Sequence, residues 1–355
     1  MRIIQFFSSL SYGDAIGNDI LALDAIIKEK GFQTKIYAEK IDKRISSELA
    51  SNISEYTADP SDLLILHIGG ATKLNEWIKD IKCKKVMIYH NITPPEFFEE
   101  YNKKSAEYCK RGLKEVESLN KTFDMVLSCS DFNKQNLLDM GYTCEINVLP
   151  ILIPFDDYKK TPAQAVIDKY NDDFTNIIFL GRLVPNKKQE HVLEAFSEYQ
   201  KKFNRKSRLF LVGNPTGCEN YSEKLKEYAK KLNLKNVIFT GHTRFDEILA
   251  YYKLSDLFLC MSEHEGFCVP LVEAMFFDLP IVAYASSAIP WTLNGSGFLL
   301  KEKNPALTAA VMNKILTDSS LKEKILKNQH ERLSDFSHEK VAEQFWNYIS
   351  KFLDK

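Results

Sequence analysis

Two glutamates separated by seven residues are the first candidates for chemistry in this sequence. Glu265 and Glu273 lie in SDLFLCMSEHEGFCVPLVEAM, residues 255–275, where an apolar run typical of a buried strand leads through a loop to a helical pattern. Pro270 suits the first position of that helix, which needs no amide donor. With the helix starting there, Glu273 lies about one turn into it and Glu265 precedes it, so both carboxylates can face one ligand.

The loop between these glutamates also offers backbone amides to an anion. At a helix N-terminus, unpaired amide groups and the positive end of the helix dipole favour a phosphate. Gly266 gives the loop conformational freedom. The amides that we expect to face the ligand belong to Gly266, Phe267, Cys268 and Val269.

A pair of cations follows another apolar run. In FLGRLVPNKKQEHVLEAF, residues 179–196, Arg182 and Lys187 lie between a predicted strand and a predicted helix, and Lys188 is the alternative to Lys187 because the register is open by one residue. Cations near a helix start oppose the helix dipole, which makes a purely structural role unattractive. Beside a departing phosphate, they would stabilise the charge that develops on it.

In the first half, SYGDAIGND, residues 11–19, follows the first predicted strand and opens a helix. Glycine at such a position lets backbone approach a ligand, so Gly13, Asp14 and Gly17 are candidates, although Asp14 is equally well suited to cap the helix. The dinucleotide pattern Gly-x-Gly-x-x-Gly is absent. His90, in VMIYHNITPPEFF, ends a later strand, and His67 at the end of the preceding strand is its rival.

Short apolar runs alternate with longer helical patterns along the whole sequence, which predicts an α/β fold with parallel sheets in two doubly wound domains. Polar residues and prolines around residues 150–173 interrupt the alternation, as expected for a connection between domains. The predicted strands of the first half are Ile3–Phe7, Thr34–Ala38, Leu63–His67, Lys85–His90, Met125–Ser128 and Ile146–Pro150. Those of the second half are Asn176–Leu180, Arg208–Val212, Asn236–Thr240, Leu257–Cys260, Pro280–Tyr284 and Gly297–Leu300.

These patterns divide the chain into residues 1–155, 156–336 and 337–355. The first two ranges are predicted Rossmann-like domains, whose strand ends would face a cleft that forms the default ligand site. The last range is predicted to be an amphipathic helix that needs a surface to cover. Its apolar stripe consists of Val341, Phe345, Tyr348, Ile349 and Phe352.

Composition argues against several classes of protein. A net charge of −1 argues against a nucleic-acid partner. No apolar run approaches the ~20 residues that a membrane-spanning helix needs, and the first residues are typical of a strand rather than a signal peptide, which predicts a cytoplasmic protein. The seven cysteines lack C-x-x-C spacing, so neither a disulfide framework nor a zinc site is expected, and no Asp-x-Asp metal motif ends a strand.

The periodic segment Pro95–Asn120 predicts one long helix, which is locally basic with glutamates interleaved among its cations. The simplest interpretation is an ordinary solvent-exposed helix face. The alternative is a surface that binds anionic lipid or a lipid-linked acceptor. The cations are Lys103, Lys104, Lys110, Arg111 and Lys114.

The two C-terminal motifs together resemble those of retaining glycosyltransferases of family 4, which have the GT-B fold. The resemblance rests on the two glutamates of EGFCVPLVEAM and on Gly-Arg-x-x-x-x-Lys at residues 181–187. It implies that Glu265 binds hydroxyls of a donor sugar and that Glu273 binds the nucleotide ribose. Arg182 and Lys187 would grip the donor diphosphate.

The resemblance extends to weaker positions. In GHTRFDEI, residues 241–248, the backbone of Gly241, His242 and Thr243 would meet the nucleotide base. His90 would touch the donor sugar or orient the acceptor, and the loop with Gly13, Asp14 and Gly17 would lie near the donor phosphates. The final helix would cross back onto the N-terminal domain. Trp291 stands where many relatives have Glu, which leaves the contacts of that loop open.

The implied activity is metal-independent, retaining hexosyl transfer without a cofactor. The donor would be a nucleoside diphosphate sugar, either a UDP-sugar or GDP-mannose, and the acceptor a hydroxyl of a glycan, lipid-linked or protein-linked molecule. We expect this reaction in the cytoplasm or at the inner face of the membrane. Two alternatives stay open: a GT-B relative with epimerase chemistry, and a non-catalytic partner subunit of a transferase.

Overall fold

Parallel strands alternate with helices along the chain in the computed structural model, which describes residues 1–11 and 13–353. Twelve of the strands coincide with predicted ones. The additional strand, Ala50–Asn52, is only three residues long and carries no alternation that could predict it. The strands are β1 Arg2–Leu10, β2 Gln33–Ile41, β3 Ala50–Asn52, β4 Leu63–Ile68, β5 Lys84–Tyr89, β6 Met125–Ser128, β7 Glu145–Val148, β8 Thr175–Leu180, β9 Ser207–Val212, β10 Val237–Gly241, β11 Leu257–Cys260, β12 Ile281–Tyr284 and β13 Phe298–Leu300.

The helices fill the intervals between the strands. Among the described residues, no helix is both long enough and apolar enough to cross a membrane. The helices are α1 Ala15–Glu29, α2 Lys73–Trp77, α3 Lys103–Ser118, α4 Asp131–Asp139, α5 Phe155–Tyr158, α6 Gln164–Tyr170, α7 Gln189–Lys202, α8 Glu219–Lys231, α9 Phe245–Lys253, α10 Val269–Phe276, α11 Ile289–Leu293, α12 Pro305–Thr317, α13 Ser319–Leu333 and α14 His338–Ile349.

The chain forms two compact units, each built on its own parallel sheet, so the predicted pair of α/β domains is confirmed. Unit 1 contains residues 1–95, 106–154 and 335–355, and unit 2 contains residues 96–105 and 155–334. The sheet of unit 1 has the order β3-β2-β1-β4-β5-β6-β7. The sheet of unit 2 has the order β10-β9-β8-β11-β12-β13.

One core cluster of unit 1 packs strands of its sheet against helices α1 and α14. Ile3 of β1, Ile65 of β4 and Leu23 of α1 are among its fully buried residues. Helix α14 covers the same core with Val341, Phe345 and Ile349, while Tyr348 and Phe352 are partly buried against it. The last two residues of the predicted 337–355 segment lie outside the described residues.

The segment after β5 differs from the single helix that its pattern predicts. The helical turn Pro95–Phe97 comes first, and α3 begins only at Lys103. Pro94 and Pro95 disfavour helical geometry in the residue that precedes each of them, so helical structure does not extend back before Pro95. The second piece has its own start, where Asn102 Oδ1 accepts from the amide of Ser105 at 3.0 Å. Residues 96–105 pack within unit 2, where Asn102 Nδ2 donates to the carbonyl of Gly217 and Tyr101 packs against Tyr221.

Candidate functional site

The strand order of unit 2 reverses between β8 and β11, which lie side by side at the centre of its sheet. In open parallel sheets, ligands bind beyond the carboxyl ends of the strands at such a reversal. The loop after β8 carries Arg182 and Lys187, and the loop after β11 carries Glu265. The fold of unit 2 therefore brings the two predicted motifs to one place.

Lys187 and Glu265 form an ion pair at this place. Lys187 Nζ lies 2.5 Å from both carboxylate oxygens of Glu265, and the two side chains are 18% and 7% exposed. Burial lowers the pKa of Lys187, but the charge and hydrogen bond of Glu265, together with the nearby Cys268 and Cys260 sulfurs, outweigh that effect, and the pKa is raised above its ordinary value. The lysine therefore stays charged and neutralises the buried carboxylate.

The backbone on both sides of this pair is held by hydrogen bonds. The Glu265 amide donates to Ser287 Oγ at 2.8 Å, and the Glu265 carbonyl accepts from the amide of Ala288 at 3.3 Å. Asn186 Nδ2 donates to the carbonyl of His264 at 3.0 Å, while the amide of Glu263 donates to the carbonyl of Asn186. These bonds tie the two strand-end loops together, so the ion pair has a fixed frame.

The other two cations of the predicted set point elsewhere. Arg182 is exposed, and its Nη2 donates to the carbonyl of Thr216 at 3.1 Å. Lys188 has a left-handed backbone, with φ of 52°, and its Nζ lies 3.3 Å from Glu263 Oε2. Lys187 rather than Lys188 thus contacts Glu265.

Glu273 lies in α10 and binds two tyrosines that the sequence analysis does not identify. Tyr158 OH and Tyr252 OH donate to its two carboxylate oxygens at 2.6 Å and 2.7 Å. Burial raises the pKa of Glu273, and the two hydroxyls oppose this by stabilising the carboxylate. Their sequence signal is weak, because α5 and α9 contribute one tyrosine each from distant parts of the chain.

Helix α10 begins one residue before the predicted start. Val269 is its first residue, and Cys268 precedes it in the left-handed region, with φ of 71°. The thiols of Cys260 and Cys268 hydrogen-bond each other, which lowers the pKa of Cys260 and raises that of Cys268. Gly266 is half-buried and Phe267 is buried in the preceding loop.

The predicted base-binding segment follows β10 in unit 2. Gly241 has φ of 69°, a conformation that glycine adopts without strain. Thr243 Oγ1 donates to the carbonyl of Gly241 at 3.1 Å, and His242 is exposed. This arrangement makes a short turn whose backbone is accessible, but it identifies no base.

The remaining candidates belong to unit 1. Asp14 caps α1, since its Oδ1 accepts from the amides of Ile16 and Gly17 at 2.9 Å and 3.1 Å. Gly13 has φ of 84°, and a Cβ on Gly17 would lie 2.2 Å from the carbonyl oxygen of Ser11. The capping role of Asp14 is thus formed, and Gly17 allows the loop and helix to approach each other.

His90 belongs to a chain of polar side chains in the interior of unit 1. Its Nε2 lies 3.0 Å from Nδ1 of His67, whose Nε2 lies 2.9 Å from Oε1 of Gln5. Cys129 Sγ lies 3.5 Å from His90 Nδ1. Burial lowers the pKa of His90 to about 3, so the imidazole is neutral at physiological pH. The two histidines that the sequence presents as rivals are therefore one hydrogen-bonded unit.

Two buried groups of side chains place three metal-ligand atoms within 4.8 Å of one another. The first group, in unit 1, consists of Asp19, His67 and His90. The second, in unit 2, consists of Cys260, Glu265 and Cys268.

Residues 162–332 match the family of glycosyl transferases group 1. The serotype-specific mannosyltransferase WbdA of Escherichia coli is 25% identical over 255 residues, which cover 68% of this chain and 30% of that protein. A D-inositol 3-phosphate glycosyltransferase of Corynebacterium efficiens is 25% identical over 179 residues, which cover 49% of this chain and 42% of that protein. The matched region thus spans less than half the length of each of these relatives.

Solved glycosyltransferase structures share the fold over nearly the whole chain. The sucrose-phosphate synthase of Thermosynechococcus elongatus has a TM-score of 0.77 at 15% identity and covers 99% of both chains. Anabaena HepE in complex with UDP and glucose has a TM-score of 0.77 at 19% identity, covering 99% of this chain and 100% of that one. Residues 162–332, just under half of the chain, are therefore similar to the glycosyl transferases group 1 family, and the two parallel-sheet units have the GT-B fold.

Proposed function

We propose that the protein is a retaining hexosyltransferase that takes its sugar from a nucleoside diphosphate sugar. The observation that carries this proposal is the Lys187–Glu265 ion pair at the strand-order reversal of unit 2, with Glu273 in the helix that follows. The family match covers this same region. UDP-sugars and GDP-mannose are the donors to test first, and the relative WbdA, named as a mannosyltransferase, supports including the latter.

The ion pair suggests how donor binding prepares the site. The donor diphosphate competes with Glu265 for the Lys187 ammonium, because both are anions that a buried cation stabilises. Once Lys187 turns to the phosphate, the Glu265 carboxylate is free to accept hydrogen bonds from hydroxyls of the sugar. Glu273 would hold the ribose, with its carboxylate oriented by Tyr158 and Tyr252.

The transfer step needs no protein nucleophile. The acceptor hydroxyl attacks the anomeric carbon on the face from which the diphosphate departs, and the departing phosphate oxygen accepts the hydroxyl proton. Arg182, Lys187 and the amides at the start of α10 stabilise the charge that develops on the diphosphate. His90 stays a candidate for contact with the donor sugar, and Gly13 a candidate for contact with the phosphates.

Unit 1 contains a groove suited to part of an acceptor. It has a volume of about 490 Å³ and is lined by residues that include Lys40, Thr72, Lys73, Tyr108 and Arg111. The Tyr108 side chain is 42% exposed and offers an aromatic face on which a sugar ring can pack. We propose a hydroxyl of a glycan, lipid-linked or protein-linked molecule as the acceptor. The relative CapM of Staphylococcus aureus, named for capsular polysaccharide biosynthesis, supports the glycan.

The proposed place of action is the cytoplasm, with contact at the inner face of the membrane through the exposed cations of α3. Sedimentation with vesicles tests that contact. Binding to anionic vesicles that falls when Lys104, Lys110 and Lys114 are replaced by Gln would support it, and equal binding to neutral vesicles would contradict it.

The enzyme assay compares variants of two neighbouring glutamates, Glu265 and Glu263. Full-length protein is incubated with UDP-, GDP- and ADP-sugars, and the release of free nucleoside diphosphate is measured together with the anomeric configuration of the product. We expect Glu265→Gln to reduce transfer at least about 100-fold, the scale on which one lost transition-state contact acts. Glu263→Gln should retain activity, because Glu263 pairs with Lys303 and Lys188 and lies outside the proposed sugar contacts.

Three outcomes of this assay would contradict the proposal. Full activity of Glu265→Gln removes the assigned role of that carboxylate. Altered sugar without released nucleoside diphosphate indicates an epimerase. Absence of a thermal shift with every nucleoside diphosphate sugar indicates a non-catalytic subunit, because a ligand that binds only the native state raises its apparent stability.

A further inference from the structure

Of the two buried groups found among the described residues, the one in unit 1 is arranged for a hydrogen bond rather than for a cation. In unit 1, the His67 and His90 ring planes are inclined by only 13°, and the ring centres are 5.3 Å apart while the facing nitrogens are 3.0 Å apart. The distance between the ring centres exceeds the distance between the nitrogens by about two ring radii. The two nitrogens therefore face each other along the line between the ring centres. This is the geometry of an N–H···N hydrogen bond, because lone pairs that hold one metal must converge on a third point.

The group in unit 2 is arranged differently. Cys260 ends β11, Cys268 precedes α10, and Glu265 lies in the loop between them, so one short stretch of chain surrounds the three ligand atoms. Both cysteines are buried, at 1% and 7% exposure, and neither is oxidised. The proposed transfer reaction uses neither thiol.

The backbone at Cys268 adds a second observation. Its φ of 71° lies in the left-handed region, which costs a residue with a Cβ about 1 kcal/mol or more relative to glycine. The position thus favours glycine, yet it carries a thiol directed at Cys260. A side chain that forms an interaction of its own would offset this cost.

We propose that Cys260, Cys268 and Glu265 form an inhibitory site for a thiophilic divalent cation, with Zn²⁺ as the expected ion. Thiolate and carboxylate ligands suit a four-coordinate Zn²⁺, and the fourth position is left for water. The inhibition rests on the proposed function, because the ion occupies the carboxylate that would bind the donor sugar. Catalysis itself is still expected to need no metal.

Charge balance favours this occupant. In the free protein, the Lys187 ammonium and the Glu265 carboxylate neutralise each other. The cation binds the two cysteines as thiolates, so their thiol protons are released. The three negative ligands are then balanced by the cation and by Lys187, so the buried site gains no net charge, which would be costly in this environment.

The direct test is a spectroscopic titration of the full-length protein without donor. Cd²⁺ is the probe, since its bonds to thiolate absorb in the ultraviolet, and Cys83→Ser/Cys144→Ser is the background because it removes the two half-exposed thiols. We expect saturation at one equivalent, with two protons released per ion. Cys268→Ser should weaken binding by more than about tenfold, as loss of even an outer-shell partner of a metal ligand costs 10- to 100-fold.

Cys218→Ser is the matched control, because Cys218 is a buried thiol of unit 2 outside the group. It should bind Cd²⁺ as the background protein does. Cys260→Ser is a second variant of the group, in case Cys268→Ser binds weakly only because it folds poorly. It should weaken Cd²⁺ binding to a similar extent. Absence of the thiolate absorption, or an affinity for Cd²⁺ in Cys260→Ser and Cys268→Ser equal to that of the background protein, would overturn the proposal.

Competition between donor and metal ion distinguishes failure of the metal-site proposal from failure of the proposed function. A UDP-sugar or GDP-sugar should raise the apparent dissociation constant for Cd²⁺, because its sugar hydroxyls compete for the Glu265 carboxylate, and Zn²⁺ should inhibit sugar transfer. A thiolate-bound ion in a protein that binds no nucleoside diphosphate leaves the metal site standing and removes the transferase. Sugar transfer in a protein that shows no thiolate absorption supports the transferase and contradicts the metal site.

Discussion

The buried charges of Lys187 and Glu265 form an ion pair in unit 2, and loss of one partner should lower the free energy of unfolding. Lys187→Met leaves the Glu265 carboxylate buried without its cation, and we expect a loss of about 3 to 5 kcal/mol in the free energy of unfolding. Lys187→Met/Glu265→Gln removes both charges and should lose less than Lys187→Met alone. Urea unfolding measures this in a Trp77→Phe/Trp346→Phe background, where Trp291 of unit 2 is the remaining tryptophan. Equal stability of wild-type and Lys187→Met protein would contradict the burial argument.

The hydroxyl of Tyr252 provides the basis for a second prediction about a single residue. Tyr252→Phe removes one hydrogen bond to the buried Glu273 carboxylate and should cost about 1.5 to 3 kcal/mol, the usual value for a bond to a charged group. Tyr228→Phe is the control, because it removes a 2.6 Å bond to Glu194 where the tyrosine is far more exposed to solvent. The Trp291 reporter measures both variants. Equal losses would mean that burial of Glu273 does not strengthen the bond.

The parts of the site that could be predicted from sequence are those carried by short patterns. Glu265 and Lys187 each lie in the loop of a strand–loop–helix stretch, so their place at a sheet edge follows from local periodicity. Their direct contact joins residues 78 positions apart, and Tyr158 reaches Glu273 across 115 positions. No local pattern encodes such pairings, because they depend on how separate elements pack.

At the scale of elements, the strands were predictable because parallel strands buried on both faces read as continuous apolar runs. The start of α10 was predicted one residue late, since proline is tolerated throughout the first helical turn and does not fix its first residue. Residues 96–105 were unpredictable for another reason. Their attachment to unit 2 depends on contacts such as that between Asn102 and Gly217, which lie 115 positions apart.

Helix α14 provides a prediction for an element. Phe345 is fully buried against the core of unit 1, whereas Gln344 beside it is exposed. Phe345→Ala should lower the free energy of unfolding of unit 1 by about 3 to 5 kcal/mol, since it removes buried area and leaves a cavity. Gln344→Ala should change it by less than about 0.5 kcal/mol. Trp77 and Trp346 fluorescence in a Trp291→Phe background measures both; similar effects of the two substitutions would mean that α14 does not stabilise unit 1.

At the scale of the whole molecule, the chain passes between its two units at residues 95/96, 105/106, 154/155 and 334/335. In the sequence, the apolar alternation lapses near the third passage, and the predicted amphipathic helix starts after the fourth. The first two fall inside a stretch that reads as one helix. Three tryptophans distributed over both units allow the stability of each unit to be followed separately in the intact chain.

Asp19 predicts how the stability of unit 1 depends on pH. Burial raises its pKa to about 7, and its carboxylate accepts a 2.8 Å hydrogen bond from the amide of Leu152. The folded state thus holds a proton that the unfolded state releases near pH 4, so stability from this group is present below that pH and is lost as pH rises to about 7. At about 1.4 kcal/mol per pKa unit, the loss is at most about 4 kcal/mol.

Asp19→Asn isolates this effect, because its amide oxygen can still accept from Leu152 while the side chain no longer titrates. His67 and His90 face the same interior with lowered pKa values, and their contribution has the opposite sign, since the unfolded histidines bind protons that the folded ones do not. The contribution of the histidines is the same in both proteins, so it is absent from the difference between their free energies of unfolding. In the Trp291→Phe background, urea unfolding from pH 5 to pH 8 should show the variant gaining stability over the parent as pH rises. A constant difference across that range would mean that Asp19 is ionised throughout in the folded protein.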